Sequence, residues 1–217
     1  MDSKLDIYLK ELISWNNKFN LTSITNPDEI RIKHFEDSMS LSKAYDFSKG
    51  SPFVIDVGSG AGFPGIVLKI IFPNIFLTLL ESVWKKTDFL KYIVNILNLK
   101  NVDVITKRAE DYAKEKREYY DVALCRALAN LSVASELCLP FVKVGGIFIA
   151  MKSQKSEIEA ERSKHAIKIL GGEVKSINRV KIGENPEIVR NLIVVYKKEE
   201  TPAKYPRRAG MPQKRPL

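Results

Sequence analysis

The residues best suited to chemistry lie in one stretch, Phe53–Gly65, which reads FVIDVGSGAGFPG. An apolar run ends there in an aspartate, and four glycines follow within nine residues. Glycine tolerates positive φ and lets a ligand approach the bare backbone. An apolar run, a glycine loop and an amphipathic continuation predict a strand, a tight turn and a helix. This order indicates a nucleotide-like ligand at the carboxyl end of the first strand of an open α/β sheet.

The glycine spacing leaves the kind of nucleotide open. Gly60, Gly62 and Gly65 fit the dinucleotide pattern G-x-G-x-x-G. Gly58, Gly60 and Gly62 fit the acidic-x-G-x-G-x-G loop of class I methyltransferases equally well, with Asp56 as the acid. The loop alone therefore does not choose between a dinucleotide and S-adenosylmethionine.

Carboxylates at the next two predicted strand ends help to decide. Glu81 ends the run LTLLE, where a carboxylate accepts hydrogen bonds from ribose hydroxyls in either kind of site. Glu110, or its neighbour Asp111, follows the third strand and is placed to meet an adenine amino group. Like-charged carboxylates close together repel one another, so acids at three adjacent strand ends suit a ligand with a positive centre. A sulfonium has such a centre, and this clustering favours S-adenosylmethionine.

The fourth predicted strand ends at Arg126, which we expect to position groups at the border of cofactor and substrate. Its neighbour Cys125 is a candidate nucleophile by position only, and its apolar surroundings predict a core side chain. The sequence contains no Asn/Asp-Pro-Pro-Tyr/Phe motif of exocyclic-amine methyltransferases and no obvious base. We name no catalytic residue beyond Arg126 and expect no metal.

The elements that must position these residues follow an alternating order. Strands are predicted at 75–80, 102–105, 121–124, 146–151, 174–181 and 189–196, with helices at 84–98, 130–139 and 155–170. Alternation predicts right-handed crossovers and a mainly parallel sheet, and the short loop Ile182–Pro186 predicts an antiparallel final pair. The predicted fold is α/β, a Rossmann-like class I methyltransferase sheet of seven strands with an antiparallel last strand and flanking helices.

Helices are also predicted in front of this sheet. The apolar spacing of residues 4–19 predicts an amphipathic helix, and Asn26 begins a second one as its cap. His34, Asp37 and Ser38 share one helical face. With no nucleophile elbow beside them, we interpret them as a structural hydrogen-bonded patch that joins this extension to the mouth of the sheet. We divide the chain into a helical extension (1–50), a cofactor-binding core (51–198) and a basic arm (199–217).

The charge distribution points to a polyanionic partner. The net charge is +9, and residues 197–217 hold seven Lys/Arg against two Glu. We predict that the arm is extended, contacts RNA phosphate and has little effect on cofactor affinity; the proposed contacts are Lys204, Arg207, Arg208, Lys214 and Arg215.

Two cysteines in apolar surroundings and a charged N-terminus predict a cytoplasmic protein. Apolar runs are shorter than the roughly 20 residues of a membrane helix, and nothing in the sequence indicates an obligate protein partner.

Taken in order, the motifs resemble those of the RsmG family, also called GidB, of small-subunit rRNA guanine-N7 methyltransferases. The matching stretches read NLT, HFEDS, DVGSGAGFPGIVLKI, LLESVWKKTDFL, RAE, CRA and YPRRAGMPQKRPL. The resemblance implies cofactor contacts at Gly58, Phe63, Ala109, Glu110 and Arg126. It implies as substrate a guanine in the decoding-region loop of 16S rRNA, within the small subunit or its assembly intermediate.

Two other functions remain as alternatives. A class I methyltransferase for a small molecule would need neither the basic arm nor the helical extension. An NAD-dependent oxidoreductase fits the glycine loop, but the sequence offers no second catalytic constellation for it.

Overall fold

A seven-stranded sheet forms the centre of the protein in the computed structural model, which describes residues 3–153, 156–183 and 188–217. The strands are β1 (Phe53–Val57), β2 (Phe76–Glu81), β3 (Val102–Thr106), β4 (Tyr120–Arg126), β5 (Val142–Lys152), β6 (Gly172–Ile182) and β7 (Ile188–Lys197). Their spatial order is β3-β2-β1-β4-β5-β7-β6. The first five are parallel, and β7 is antiparallel to both β5 and β6. The predicted fold class is confirmed.

Helices cover both faces of this sheet. They are α1 (Ser3–Asn16), α2 (Pro27–Ile30), α3 (Asp37–Met39), α4 (Gly65–Ile71), α5 (Trp84–Ile96), α6 (Ala109–Tyr112), α7 (Leu131–Cys138), α8 (Ser156–Ile169) and α9 (Met211–Lys214). A π-helical turn (Arg31–Glu36) joins α2 to α3, and 3-10 turns span Ser40–Lys43 and Leu139–Phe141. None of the helices in the described part of the chain is long and apolar enough to cross a membrane.

Alternate residues of the parallel strands face two separate hydrophobic layers. Val54, Leu79 and Leu124 belong to the layer shared with α1, α4 and α5. Ile55 and Leu80 belong to the opposite layer, which α7 and α8 cover. Burial of both faces explains why the central strands read as nearly continuous apolar runs.

Two boundaries differ from prediction by three residues or more, for local reasons. The helix α1 ends at Asn16 rather than at residue 19, because the Asn16 side chain accepts hydrogen bonds from the backbone N–H groups of Leu21 and Thr22 (2.8 and 2.9 Å). Strand β5 begins at Val142, because Val142 already pairs with Tyr120 across a register shift. The predicted start of the helix at 155 and most of the loop Ile182–Pro186 lie outside the described residues.

The helical extension shares a core with the sheet. Tyr8 of α1 is fully buried, its ring lies 5.3 Å from that of Phe63, and its hydroxyl donates to the Ala61 carbonyl (2.5 Å). Fully burying an aromatic side chain of this size contributes about 1.5–3 kcal/mol. Residue 50 therefore separates the helical extension from the sheet only along the sequence. In the folded protein the two parts share one hydrophobic layer.

Candidate functional site

A cavity of about 360 Å³ opens at the carboxyl edge of the parallel strands, within the range of about 300–1,000 Å³ typical of small-molecule sites. Six of the predicted site residues line it: Gly58, Gly60, Glu81, Ala109, Glu110 and Arg126. The sheet thus brings together residues from the ends of four strands, at the edge where open α/β sheets bind ligands. A larger cavity of about 540 Å³ lies beside α7 and α8. None of these six residues lines it, so we assign no chemistry to it.

The glycine loop presents bare backbone to the cavity. Gly58 has φ of +75°, and a Cβ at this position would lie 2.6 Å from Leu128 Cδ1. The Gly58 N–H donates to the Leu80 carbonyl (2.8 Å), which ties the loop to the end of β2. Positive φ and lack of room together explain the need for glycine here.

Glu81 fastens the same loop from the end of β2. Its Oε2 accepts from the Gly60 N–H (3.0 Å), and its Oε1 accepts from the N–H groups of Ser82 and Val83 (2.8 and 2.9 Å). The carboxylate is nearly buried and still lines the cavity. Because each carboxylate oxygen has two acceptor sites, Glu81 Oε2 retains one site for a ligand hydroxyl while the carboxylate shapes the loop.

Asp56, Gly62 and Phe63 do not line the cavity. Asp56 is fully buried, and its Oδ2 accepts from the Gly65 N–H at the start of α4 (3.0 Å). Burial raises the pKa of Asp56 to about 7, although the Gly65 hydrogen bond opposes this shift. These residues support the loop, and their direct contact with a cofactor stays a prediction.

Arg126, at the end of β4, is held by the N-terminal segment. Its Nε lies 3.2 Å from Asp37 Oδ2, and its Nη2 donates to His34 Nδ1 (2.8 Å) and to the Lys33 carbonyl (2.9 Å). Arg190 of β7 pairs with the same Asp37 carboxylate (2.8 and 3.1 Å). Arg126 lines the cavity, and its Nη1 is buried and has no hydrogen-bond partner among the described residues.

His34 has a structural place in this cluster. Burial, and then the Arg126 charge, lower the pKa of His34 to about 4. Its Nε2 lies 2.8 Å from Thr22 Oγ1, and its ring stacks on Phe63 with centroids 4.4 Å apart. The Ser38 hydroxyl donates to the His34 carbonyl (2.6 Å). The predicted patch joining the extension to the mouth of the sheet is confirmed.

Glu110, rather than Asp111, faces the cavity. Asp111 is exposed and pairs with Lys114 (3.1 Å). Glu110 is nearly buried, and its Oε1 accepts from the Gly210 N–H (2.9 Å). Of the two acidic residues that the sequence left open, the structure thus places Glu110 at the cavity. The hydrogen bond from Gly210 also brings the C-terminal arm to this site.

The arm is folded against the core. Arg207 donates three hydrogen bonds to the fully buried Glu136, from its backbone N, Nε and Nη2 (2.9, 2.8 and 2.6 Å). The Arg117 guanidinium donates to the carbonyls of Thr201, Pro202 and Tyr205. The prediction of an extended arm is therefore wrong. The Arg207 side chain, which we expected to contact RNA, is paired with Glu136 instead. Lys204, Arg208, Lys214 and Arg215 are exposed.

The residues that the sequence analysis did not assign to the site include Glu136, Gly210, Pro212 and Gln213. The last three line the cavity. A glutamate inside the apolar run LSVASELC was an available signal, because a buried charge requires a partner. The three arm residues lie in the stretch YPRRAGMPQKRPL, whose family resemblance gave no indication of a place at the cavity.

The cysteines do not take part in the site. Cys125 and Cys138 are both buried and free, and neither lines the cavity. Burial raises the pKa of the Cys138 thiol well above its usual value. The predicted core position of Cys125 is confirmed.

Comparison with known proteins gives a consistent family. Residues 1–189 match the family described as "GidB: rRNA small subunit methyltransferase G". A protein of Bacillus thuringiensis (strain Al Hakam) named "Ribosomal RNA small subunit methyltransferase G" is 46% identical over 217 residues, covering 99% of this chain and 90% of that protein.

Solved structures share the fold at low sequence identity. A precorrin-6y C5,15-methyltransferase from Geobacter metallireducens superimposes with a TM-score of 0.58 at 14% identity, over 75% of this chain and 87% of that one. TYW2 from M. jannaschii, in complex with AdoMet, gives a TM-score of 0.56 at 19% identity over 74% of each chain.

Proposed function

This chain belongs to the GidB family of rRNA small subunit methyltransferases, and we propose that it transfers a methyl group from S-adenosylmethionine to N7 of one guanine in the decoding-region loop of 16S rRNA. One observation carries the proposal: the strand-end cavity has a carboxylate on each of two sides, Glu81 and Glu110, and a guanidinium, Arg126, on a third.

The residues at this cavity fit S-adenosylmethionine. Glu81 Oε2 offers an acceptor for a ribose hydroxyl, and Glu110 offers one for the adenine amino group. The bare backbone of Gly58 and Gly60 allows close approach. The unpartnered Arg126 Nη1 is a donor that a ligand carboxylate or a base oxygen satisfies. When bound, this cofactor supplies an electrophilic methyl group on a sulfonium.

The chain's own contribution to methyl transfer is alignment. Guanine N7 needs no deprotonation, and His34 is unsuited to act as a base, because its Nδ1 already accepts from Arg126 and it does not line the cavity. Holding two reactants in the productive geometry lowers a barrier by about 7–11 kcal/mol in favourable cases. Arg126, fixed by Asp37 and His34, is the candidate positioning residue for that task.

Basic residues supply the surface for RNA. Lys86, Lys107 and Arg108 line the cavity, and Lys204, Arg208, Lys214 and Arg215 lie along the arm. Phosphate contacts fix the position of a protein on a nucleic acid, so these cations would hold rRNA at the cavity mouth. The proposed setting is the small ribosomal subunit, or its assembly intermediate, in the cytoplasm.

Cleavage at methylated guanine tests the reaction. Small subunits from cells lacking the enzyme are incubated with the protein and labelled S-adenosylmethionine, and the rRNA is treated with borohydride and then aniline. We expect label in 16S rRNA and one new cut at a guanosine, because N7 methylation makes the glycosidic bond labile after reduction. Protein with Glu81→Ala is the matched control and should give a much weaker cut.

Two results would contradict the proposal at different levels. Labelled RNA without a new cut would reject N7 as the methylated atom. Absence of label from rRNA, with a protein that binds S-adenosylmethionine, would reject rRNA as the substrate.

A further inference from the structure

The last residues of the arm lie at the cofactor cavity. Gly210, Pro212 and Gln213 line it opposite the glycine loop, together with Val133 and Leu137 of α7. We propose that Arg207–Gln213 is a working part of the cofactor site: it forms one wall of the cavity and orients Glu110 toward the ligand.

Orientation of Glu110 follows from one hydrogen bond. The Gly210 N–H donates to Glu110 Oε1 at 2.9 Å. Gly210 has φ of +79° and precedes α9, a backbone conformation that suits glycine. A carboxylate fixed by one backbone donor keeps its remaining acceptor sites for a ligand. Gly210 is thus a positioning residue that acts through Glu110.

Three contacts hold the segment against the core. Arg207 pairs with Glu136, which is fully buried and would otherwise be an uncompensated charge. Tyr205 is nearly buried, and the Arg117 guanidinium donates to its carbonyl (2.7 Å). Pro212 is buried where α9 begins its turn. Contacts on both sides of Gly210 therefore hold this wall of the cavity in a fixed position against the core.

The inference replaces our expectation that the arm acts on RNA alone. It rests on the proposed function only in taking S-adenosylmethionine as the ligand of the cavity. Its tests therefore measure cofactor binding and need no methyl transfer.

The first test compares two changes to the arm by calorimetric titration with S-adenosylmethionine. A chain ending at Arg208 keeps the Arg207–Glu136 pair and loses Gly210, Pro212 and Gln213. We expect its dissociation constant to rise at least about tenfold, the factor that corresponds to losing one well-made interaction of 1.4 kcal/mol. The full-length double variant Lys214→Gln/Arg215→Gln is the matched control and should bind within about twofold of the unchanged protein.

The second test uses the unaltered protein, so it does not depend on the folding of a variant. Hydrogen exchange is measured with and without S-adenosylhomocysteine. We expect added protection in peptides covering 207–214, alongside protection of the glycine loop. Protection of the loop without any change in 207–214, or unchanged affinity in the folded shortened chain, would overturn the inference.

These outcomes are distinct from failure of the proposed function. S-adenosylhomocysteine could protect the arm in a protein that leaves rRNA unmethylated. That result would reject the proposed function and retain the inference that the arm forms a wall of the cavity. Full affinity of the shortened chain for S-adenosylmethionine would reject the arm as a wall of the cavity. It would leave the proposal of rRNA methylation standing.

Discussion

The two ends of the chain hold residues of the same cavity from opposite faces of the sheet, and they do so differently. The N-terminal segment packs in the layer that contains Tyr8 and Phe35, and it fixes Arg126 through Asp37. The C-terminal arm packs on the other layer through Tyr205, and its backbone holds Glu110.

This difference separates stability from site geometry. Removing a charge or an aromatic ring from the N-terminal segment disturbs a core that the whole sheet shares. The arm is held by a few polar anchors at the edge, so changes there act locally. The predictions that follow test this separation, from the largest expected effect to the smallest.

Asp37→Ala should cause the largest loss. Its carboxylate is the shared partner of Arg126 and Arg190, and breaking a buried ion pair costs about 3–5 kcal/mol. We expect the free energy of unfolding, measured in urea, to fall by this amount. Asp6→Ala removes an exposed partner of Arg31 and should cost less than about 1 kcal/mol. Equal losses in the two variants would show that Asp37 is not a core anchor.

His34 should make stability depend on pH. Its pKa of about 4 in the folded state is below the ordinary 6.5, so between these values the unfolded chain binds a proton that the folded chain does not. Stability therefore falls as pH decreases from 6.5 toward 4, and the contribution of His34 levels off below 4. The loss is at most about 3 kcal/mol, at 1.36 kcal/mol per unit.

The measurement for His34 is a difference between two proteins. His34→Asn removes the titration and keeps an acceptor for Arg126, so it should lose less stability between pH 7 and pH 4.5 than the unchanged protein. Asp56, with a pKa raised to about 7, has the opposite sign and is present in both. Parallel pH profiles would mean that His34 does not titrate as the structure indicates.

Arg207→Lys should have a moderate and local effect. Lysine cannot reproduce the two side-chain hydrogen bonds that the guanidinium donates to Glu136. We expect unfolding free energy to fall by about 1–2 kcal/mol, with Arg208→Lys as a control that changes it by less than about 0.5 kcal/mol. If Arg207→Lys costs as much as Asp37→Ala, the arm is a core element and the proposed separation is wrong.

Charge removal at the end of the arm should leave stability nearly unchanged and affect RNA alone. Lys214→Gln/Arg215→Gln should lower the slope of log affinity against log salt by about 1.4, at about 0.7 per phosphate contact on a single strand. The control pair Lys49→Gln/Lys100→Gln removes exposed charges at the amino edge of the sheet. Indistinguishable slopes for the two pairs would place the arm's cations away from the RNA.

Local patterns explain what the sequence analysis predicted well. The loop in Phe53–Gly65 and the strand-end Glu81 are set by neighbours along the chain, because apolar periodicity and glycine spacing act over a few residues. The patch around His34 was predictable for the same reason, since its members lie on one helical turn.

Distant pairs explain what it missed. Glu136 and Arg207 are 71 residues apart, and Glu110 and Gly210 are 100 residues apart. Proline and positive charge in the arm are typical of an extended, solvated segment. The residues near Arg207 in the sequence do not indicate that it pairs with a buried carboxylate. Only the topology of the sheet places the two ends of the chain beside one cavity.

A crystal structure with S-adenosylhomocysteine would test the central claim most directly, namely that the strand-end cavity binds the cofactor between walls from the core and the arm. The account predicts a ribose hydroxyl bonded to Glu81, and adenine beside Glu110 and in contact with Gly210–Gln213. Adenosine bound in the larger cavity beside α7 and α8, or bound at Glu81 with the arm displaced, would contradict it.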